Sequence, residues 1–361
     1  MKAYRRGIAD SPLHGGHCPP WLFKRMKELG GLITEAIVEF FGPEEFLRRI
    51  SDPFFFQSLG CLLGFDWHSS GLTTTLCGAL KEGLRGKENY LGLFVCGGKG
   101  KVSRQTPLEI AHYGEHYALD FAPRLIYCSK LVAKVDNAAL QDGYQLYHHV
   151  FLFTRSGKWA VVQQGMNQIN RLARRYHWFG PQVADFGCEP HQGICGIKEK
   201  KVLNLIAQAS TTCRQNIVKL AGEGPEVIGN ELLPTKILSL PHRHYLEEGD
   251  FNLKRVEKTL YQLAEFRPTD FESLLAFPGV GPKTVRALAL AAEVVLGTPP
   301  SFSDPVSFSF AHGGKDGIPF PVNRENYDET IEFFRQVVNR SRVQISQKKE
   351  MYKQLTFLAG C

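Results

Sequence analysis

Two glycines one residue apart constrain this chain more than any other feature. They lie in Phe277-Pro278-Gly279-Val280-Gly281, inside the stretch RPTDFESLLAFPGVGPKTVRALALAAEVVLG that runs from Arg267 to Gly297. Thr269-x-x-Glu272 has the form of a capping box ahead of a helix of about two turns. Pro282 suits the first position of a second helix, where its missing N–H costs nothing. Val285, Leu288, Ala289, Ala292 and Leu296 mark that helix's buried stripe, and Gly297 closes it. The pattern is a helix-hairpin-helix over 270–297. Its glycines let the backbone turn with no side chain in the way, so N–H groups and the positive end of the helix dipole face outward. Gly279, Val280, Gly281, Lys283 and Thr284 are therefore expected to hold a phosphate oxygen, a contact that positions DNA without reading its bases.

The charge balance agrees with an acidic partner. Among 361 residues, 43 are Lys or Arg and 36 are Asp or Glu, a formal net charge of +7, which favours nucleic acid. Nine cysteines at irregular spacings point to reduced thiols. Cys188 and Cys195 bracket His191, but the spacing fits no common zinc template. Met1 to His17 carries positive charge with no apolar run behind it, so no secretory signal is expected. No stretch approaches the ~20 apolar residues that span a bilayer. The expectation is a cytoplasmic, nucleoid-associated protein with DNA as partner, no membrane, and room for a homodimer.

The local patterns divide the chain near 197. Before it, short helices are expected from Trp21 to the Gly30-Gly31 pair, over Leu32 to Phe41, Glu44 to Ile50 and Pro53 to about Leu63. Tyr90 to Cys96 reads as a buried strand. Thr106-Pro107-Leu108-Glu109 reads as a capping box opening a helix to about Tyr117, and another helix runs from Pro123 to about Ala139. Tyr144 to Thr154 and Lys158 to Gln164 flank the turn Arg155-Ser156-Gly157 as a β-hairpin. A basic helix is expected from Asn167 to Trp178. From Lys200 helices dominate. The fold class is α+β: a mixed α/β domain over 1–197, assigned any catalysis, then an all-α DNA-holding domain over 198–361.

The first domain gathers polar residues that core packing does not demand. Asp66, His68, Asp136 and Asp142 are carboxylate and imidazole ligands suited to magnesium or manganese, which can activate water against a phosphodiester. Lys134 can neutralise transition-state charge, and His149 or His177 can move a proton. The catalytic set is thus Asp136, Asp142, Lys134, His68, His149 and His177. Lys99, Lys101 and Arg104 on the loop GGKGKVSR, with Arg174 and Arg175 on the basic helix, are the remaining candidate DNA contacts; the loop is not a Walker sequence.

Two resemblances follow from these residues. The hairpin resembles that of the endonuclease III class of DNA glycosylases, where Lys283 takes the place of the lyase lysine and Asp304 lies near that of the catalytic aspartate; no iron–sulfur cysteine cluster follows. The whole chain resembles the prokaryotic family of domain of unknown function 763. The residues that carry this are Pro19-Pro20-Trp21-Leu22-Phe23, Asp66 to Gly71 (DWHSSG), Gly97 to Lys101 (GGKGK), Ala133 to Asn137 (AKVDN) and Gln141 to Gln145 (QDGYQ). Gln163 to Met166 (QQGM), Arg174 to Trp178 (RRYHW) and the hairpin at 277–284 complete the set. That resemblance implies a ParB-like, nucleolytic N-terminal domain joined to a DNA-holding C-terminal one, and it assigns no catalytic residue. Three activities fit: a metal-dependent DNA endonuclease, with bubble or branched DNA as a substrate; a glycosylase or lyase using Lys283 and Asp304; and a DNA-binding protein without chemistry.

Overall fold

A computed structural model describes residues 18–65, 70–225, 253–308, 324–341 and 343–359. Its centre is an antiparallel sheet of five strands in the order β1 (Leu93–Lys99), β3 (Gln145–Thr154), β4 (Trp159–Met166), β5 (Ala173–Phe179) and β6 (Gly193–Cys195). A short antiparallel pair, β2 (Leu140–Gln141) with β7 (Leu203–Asn204), stands apart from it. The fold is mixed α+β, as expected.

Both faces of the large sheet are covered. One carries Leu93, Val95, Val150, Leu152, Ala160 and Val162 into a core shared with helices α1 (Pro20–Phe41), α2 (Pro43–Ile50), α3 (Pro53–Leu62) and α4 (Gly71–Leu84). The other carries Phe94, Cys96, Phe151, Phe153, Val161, Tyr176 and Trp178 into a second core. That core takes in α6 (Thr106–His116), α7 (Ala122–Lys134), α8 (Thr211–Glu223), α9 (Leu253–Phe266), α10 (Phe271–Ala276) and α11 (Pro282–Leu296), after the single-turn α5 (Glu88–Leu91). Each large apolar side chain so buried contributes roughly 1.5–3 kcal/mol.

Double burial explains the main departure from expectation. Residues 173–179 form strand β5 and not the end of a basic helix. A strand facing one core alternates apolar and polar residues, which is a readable signal. Here Arg174, Tyr176 and Trp178 point to one core and Arg175 and His177 to the other layer, so no period of two survives in the sequence. The expected β-hairpin at 144–164 is present, as β3 and β4 in register from Phe153↔Trp159 to Gln145↔Met166.

Gly30-Gly31 does not end a helix either. Helix α1 is continuous, because these glycines meet α4 at a close crossing: a Cβ on Gly31 would stand 2.9 Å from the Gly83 carbonyl oxygen. Both expected capping boxes are displaced. Thr106 is already helical and gives its hydroxyl to the Ser103 carbonyl, at 2.8 Å, while Glu109 accepts from the Gly97 N–H at 2.8 Å. Asp270, not Thr269, caps α10, in a reciprocal box with Ser273.

The two C-terminal helices, α12 (Arg324–Arg340) and α13 (Ile345–Ala359), return to the N-terminal helical layer. Phe334 stacks on Phe55 with ring centroids 4.8 Å apart, and Val337, Val338 and Leu355 enter the same core. Neither core breaks at residue 197. The strand bridge from Cys195 to Phe308 and the pairing of β2 with β7 also cross that position.

Candidate nucleic-acid interface

The turn Phe277-Pro278-Gly279-Val280-Gly281 joins α10 to α11 and lies against the end of α7. Gly279 has φ +89°, a left-handed conformation that glycine takes at no steric cost. Val280 and Thr284 are buried beneath the turn, whereas Gly279 and Lys283 are exposed. Helix α11 starts at Pro282 and its ladder begins with Val285 N–H to Gly281 O at 3.0 Å. Gly281 therefore stands ahead of the first intrahelical bond, at the positive end of the dipole. Its backbone is extended, at φ −145° and ψ −173°, which any residue adopts, and a Cβ there would meet nothing within 4 Å.

Three sets of contacts fix this turn and its helices to the rest of the chain. Lys134, expected to be catalytic, gives its ammonium to the carbonyls of Val280 and of Phe277, the latter at 3.3 Å. Burial pulls its pKa down. Gln141 donates to the Pro282 carbonyl at 2.9 Å and accepts from Arg286 Nε and Nη2 at 2.8 and 2.7 Å. Tyr127 gives its hydroxyl to Glu272 at 2.8 Å. The inner carbonyls of the turn are thus satisfied from below, which leaves its glycine edge as the outer surface.

The expected metal carboxylates lie beneath the same region, both with 0% exposure. Asp136 sits on a single π-type turn, Val135–Ala139, that continues α7. Its Oδ2 accepts from Gln163 Nε2 at 2.5 Å and Trp178 Nε1 at 2.9 Å, and its Oδ1 meets His191 Nε2 at 2.5 Å. Gln163 Oε1 meets His149 Nδ1 at 2.7 Å, and His149 Nε2 meets Ser129 Oγ at 2.9 Å. Burial holds the His149 imidazole below its ordinary pKa.

Asp142 Oδ2 accepts from Arg174 Nη1 at 2.9 Å and Tyr176 Oη at 2.7 Å, and Oδ1 accepts from the Tyr144 N–H at 3.1 Å. Arg174 continues to both oxygens of Asp304, at 3.2 and 2.7 Å, and lies over the Tyr144 ring. The Asp304 oxygens also accept from the N–H groups of Glu199, at 2.6 Å, and Val306, at 3.1 Å. Burial pushes the Asp142 carboxyl up, against the pull of the Arg174 guanidinium.

As arranged, these carboxylates do not fit a divalent ion. Their oxygens already face N–H and O–H donors, and an arginine stands where a second positive charge would enter. Among the described residues no group of three or more His, Cys, Asp or Glu side chains is placed to hold a metal. Asp66 and His68, the other two expected ligands, lie outside the described residues.

The remaining candidates separate by exposure. Lys99, Lys101 and Arg104 are exposed at the end of β1 and the 3-10 turn that follows. Arg174 and Arg175 are buried at 0% and 7% and are not surface DNA contacts. Arg175 donates to His177 Nε2 at 2.8 Å and Gln57 Oε1 at 3.0 Å. His177, accepting that bond, is held well below its usual pKa by burial and by Arg175. His148, the neighbour of His149 on β3, points the opposite way. It is 1% exposed, and neither ring nitrogen has a hydrogen-bond partner among the described residues. Burial, then His149 and Lys99, push its pKa down to about 3, so it is neutral. Sequence reasoning missed Ser129 and Arg286. Arg286 carried a signal, a lone cation inside the apolar run of α11.

A family model described as "Protein of unknown function (DUF763)" matches residues 7–322. The chain belongs to this family. No curated protein and no solved structure matches it. The runs on which the sequence resemblance rests fall on the features just described: GGKGK on the exposed end of β1, QDGYQ on the Asp142 and Gln141 contacts, RRYHW on β5, and the hairpin on its lysine-held seat. Among the described residues no helix is long and apolar enough to cross a membrane.

Proposed function

We propose that this DUF763 chain holds DNA by its phosphate backbone at the hairpin Gly279–Thr284, with Lys283 as the charge contact. The observation that carries the reading is Gly281. Neither its dihedral angles nor its surroundings require glycine, so the fold alone does not account for it. A partner that must reach the backbone itself does account for it, since a Cβ would keep a phosphate off the N–H groups at the start of α11. The exposed Lys283 beside it supplies a compact positive charge.

Titrations of labelled single-stranded, duplex and bubble DNA test this reading. The affinity should fall steeply with salt. Lys283→Glu should weaken binding to every sequence and lower the salt slope by about 1. Gly281→Ala should lose affinity with no change in thermal stability. Unaltered binding by both variants would overturn the proposal. The same incubations, run with EDTA, magnesium or manganese, separate holding from cutting. Metal-dependent cleavage would extend the function to a nuclease and direct attention to Asp66 and His68. Base release with trapping of Lys283 would extend it to a lyase.

A further inference from the structure

A second polar cluster lies on the opposite face of the sheet from Asp136 and Asp142. The cross-strand register places Lys99 beside His148, His148 beside Gln164, Gln164 beside Arg175 and Arg175 beside Cys195. All five are on one face, because their alternate neighbours Val150 and Val162 enter the core shared with α1 to α4. The helical layer closes over the row. Gln164 donates to the Ser70 carbonyl at 2.9 Å, and Arg175 reaches Gln57 Oε1 at 3.0 Å and Thr73 Oγ1 at 3.4 Å. Ser70 is the N-cap of α4, a helix of 14 residues, and Thr73 sits in its first turn. The positive end of that helix therefore faces the row.

Two properties set this row apart from the network across the sheet. The opposite face sets three carboxylates among its donors; the row itself consists of lysine, histidine, glutamine, arginine and cysteine, with no acid. In its middle stands His148, fully buried with both ring nitrogens lacking partners among the described residues. A neutral imidazole has one N–H to give and one nitrogen to accept with, and a fold rarely buries both unused. A tetrahedral oxyanion takes the ring's N–H and offers further oxygens to neighbouring amide and ammonium groups, and a protonated phosphate oxygen gives its O–H to the other ring nitrogen. Lys99, on the edge strand and exposed, marks the entry. The backbone around it turns through Gly97, Gly98 and Gly100, all at positive φ.

We propose that the row Lys99–His148–Gln164–Arg175, closed by the N-terminus of α4, is a second oxyanion site, built for a phosphate group. That phosphate comes from a nucleic-acid backbone or from a free phosphate or nucleotide. The site stands whether or not the hairpin grips DNA, since it shares no residue with it.

The test is nuclear magnetic resonance of the full chain with labelled histidine rings. The His148 signal is identified by its loss in His148→Gln. Inorganic phosphate, a nucleoside monophosphate and a short single-stranded oligonucleotide are titrated in turn, against chloride at equal ionic strength. The His148 signal should move saturably, and Lys99→Glu, a surface change that leaves the fold intact, should weaken the response by about tenfold or more. Lys283→Glu should leave the phosphate response unchanged, which keeps this site's test apart from the hairpin's. Movement with phosphate and nucleotide but not with the oligonucleotide assigns the free-phosphate source, and movement with the oligonucleotide assigns the backbone. A His148 signal unmoved by all three, or moved equally in Lys99→Glu, overturns the proposal.

Discussion

Lys134→Met is the substitution that best separates a structural lysine from a catalytic one. Methionine keeps the apolar stem and removes the ammonium that caps the carbonyls of Val280 and Phe277. A hydrogen bond from a charged donor contributes roughly 1.5–3 kcal/mol net. The Phe277 bond, at 3.3 Å, belongs at the weak end, and relief from burying the ammonium offsets part of the loss. The sum is about 2 kcal/mol, concentrated on the 277–281 turn. At 1.4 kcal/mol per factor of ten, amide exchange across that turn should quicken by about 30-fold if it opens locally. With an unfolding entropy near 2.1 cal/mol/K per residue and a cooperative unit of roughly 300 residues, the melting temperature should fall by only about 3 °C. Hydrogen exchange read by mass spectrometry on peptides covering Leu274 to Val285 is the assay. Full protection of the turn, with stability unchanged and a chemical activity abolished, would refute the reasoning and return Lys134 to the active site.

Three further outcomes follow from the same contacts. Asp142→Asn leaves the wholly buried Arg174 with Asp304 as its remaining carboxylate partner among the described residues, so stability in urea should drop by roughly 1.5–3 kcal/mol; a loss under about 0.5 kcal/mol would deny Asp142 its structural role. Arg267 ends α9 at φ 53°, where a non-glycine residue is strained. Arg267→Gly should therefore stabilise the chain by about 0.5–1 kcal/mol, and a clear fall in the urea midpoint would contradict this. The Asp270 carboxyl is held below its ordinary pKa, first by the Ser273 N–H it caps. A depressed carboxylate stabilises the fold above its unfolded pKa, near 3.9, and that contribution disappears as pH falls through the folded value. The stability gap between the native chain and Asp270→Ala, about 1 kcal/mol at neutral pH, should close in acid; a gap constant with pH would show that the cap does not act through its charge.

What could be read from the sequence was whatever rests on neighbours along the chain. The β3–β4 hairpin and the Phe277–Gly281 turn each follow from a few consecutive residues. Helix α6 was also visible through Pro107, although Thr106 and Glu109 serve other partners. Strand β5 was not legible, because burial on both faces removes the alternation that marks a strand. The Gly30-Gly31 pair suggested a break, but its reason is Gly83, more than fifty positions away on α4. The polar constellation was legible as a gathering but not as a role. Asp136, Asp142 and Lys134 fall into three separate sets of contacts, and nothing local records that Trp178, Tyr176, Arg174 and the turn's carbonyls use up their bonding capacity. Arg286 and Gln141 form a pair across 145 positions of sequence, which no spacing rule anticipates.

Strand β5 carries the distinction between framework and site in a single run of residues. Its residues 174, 176 and 178 face three carboxylates, and every Asp oxygen among these has a protein donor. The carboxylates on that side are satisfied, and satisfied buried acceptors are what a framework needs: removing any member leaves a buried charge or donor exposed to nothing. Residue 175 faces the row that contains His148, where an imidazole lies buried with neither nitrogen used among the described residues. A fold gains no stability from that arrangement, since an unmade buried hydrogen bond is a cost. Such a cost is retained where the missing partner arrives from outside. The same reasoning applies at the hairpin, where Gly281 is an unneeded glycine over open space. The sites to test are therefore the places where the fold is left unfinished, rather than the places where its ionisable residues are densest.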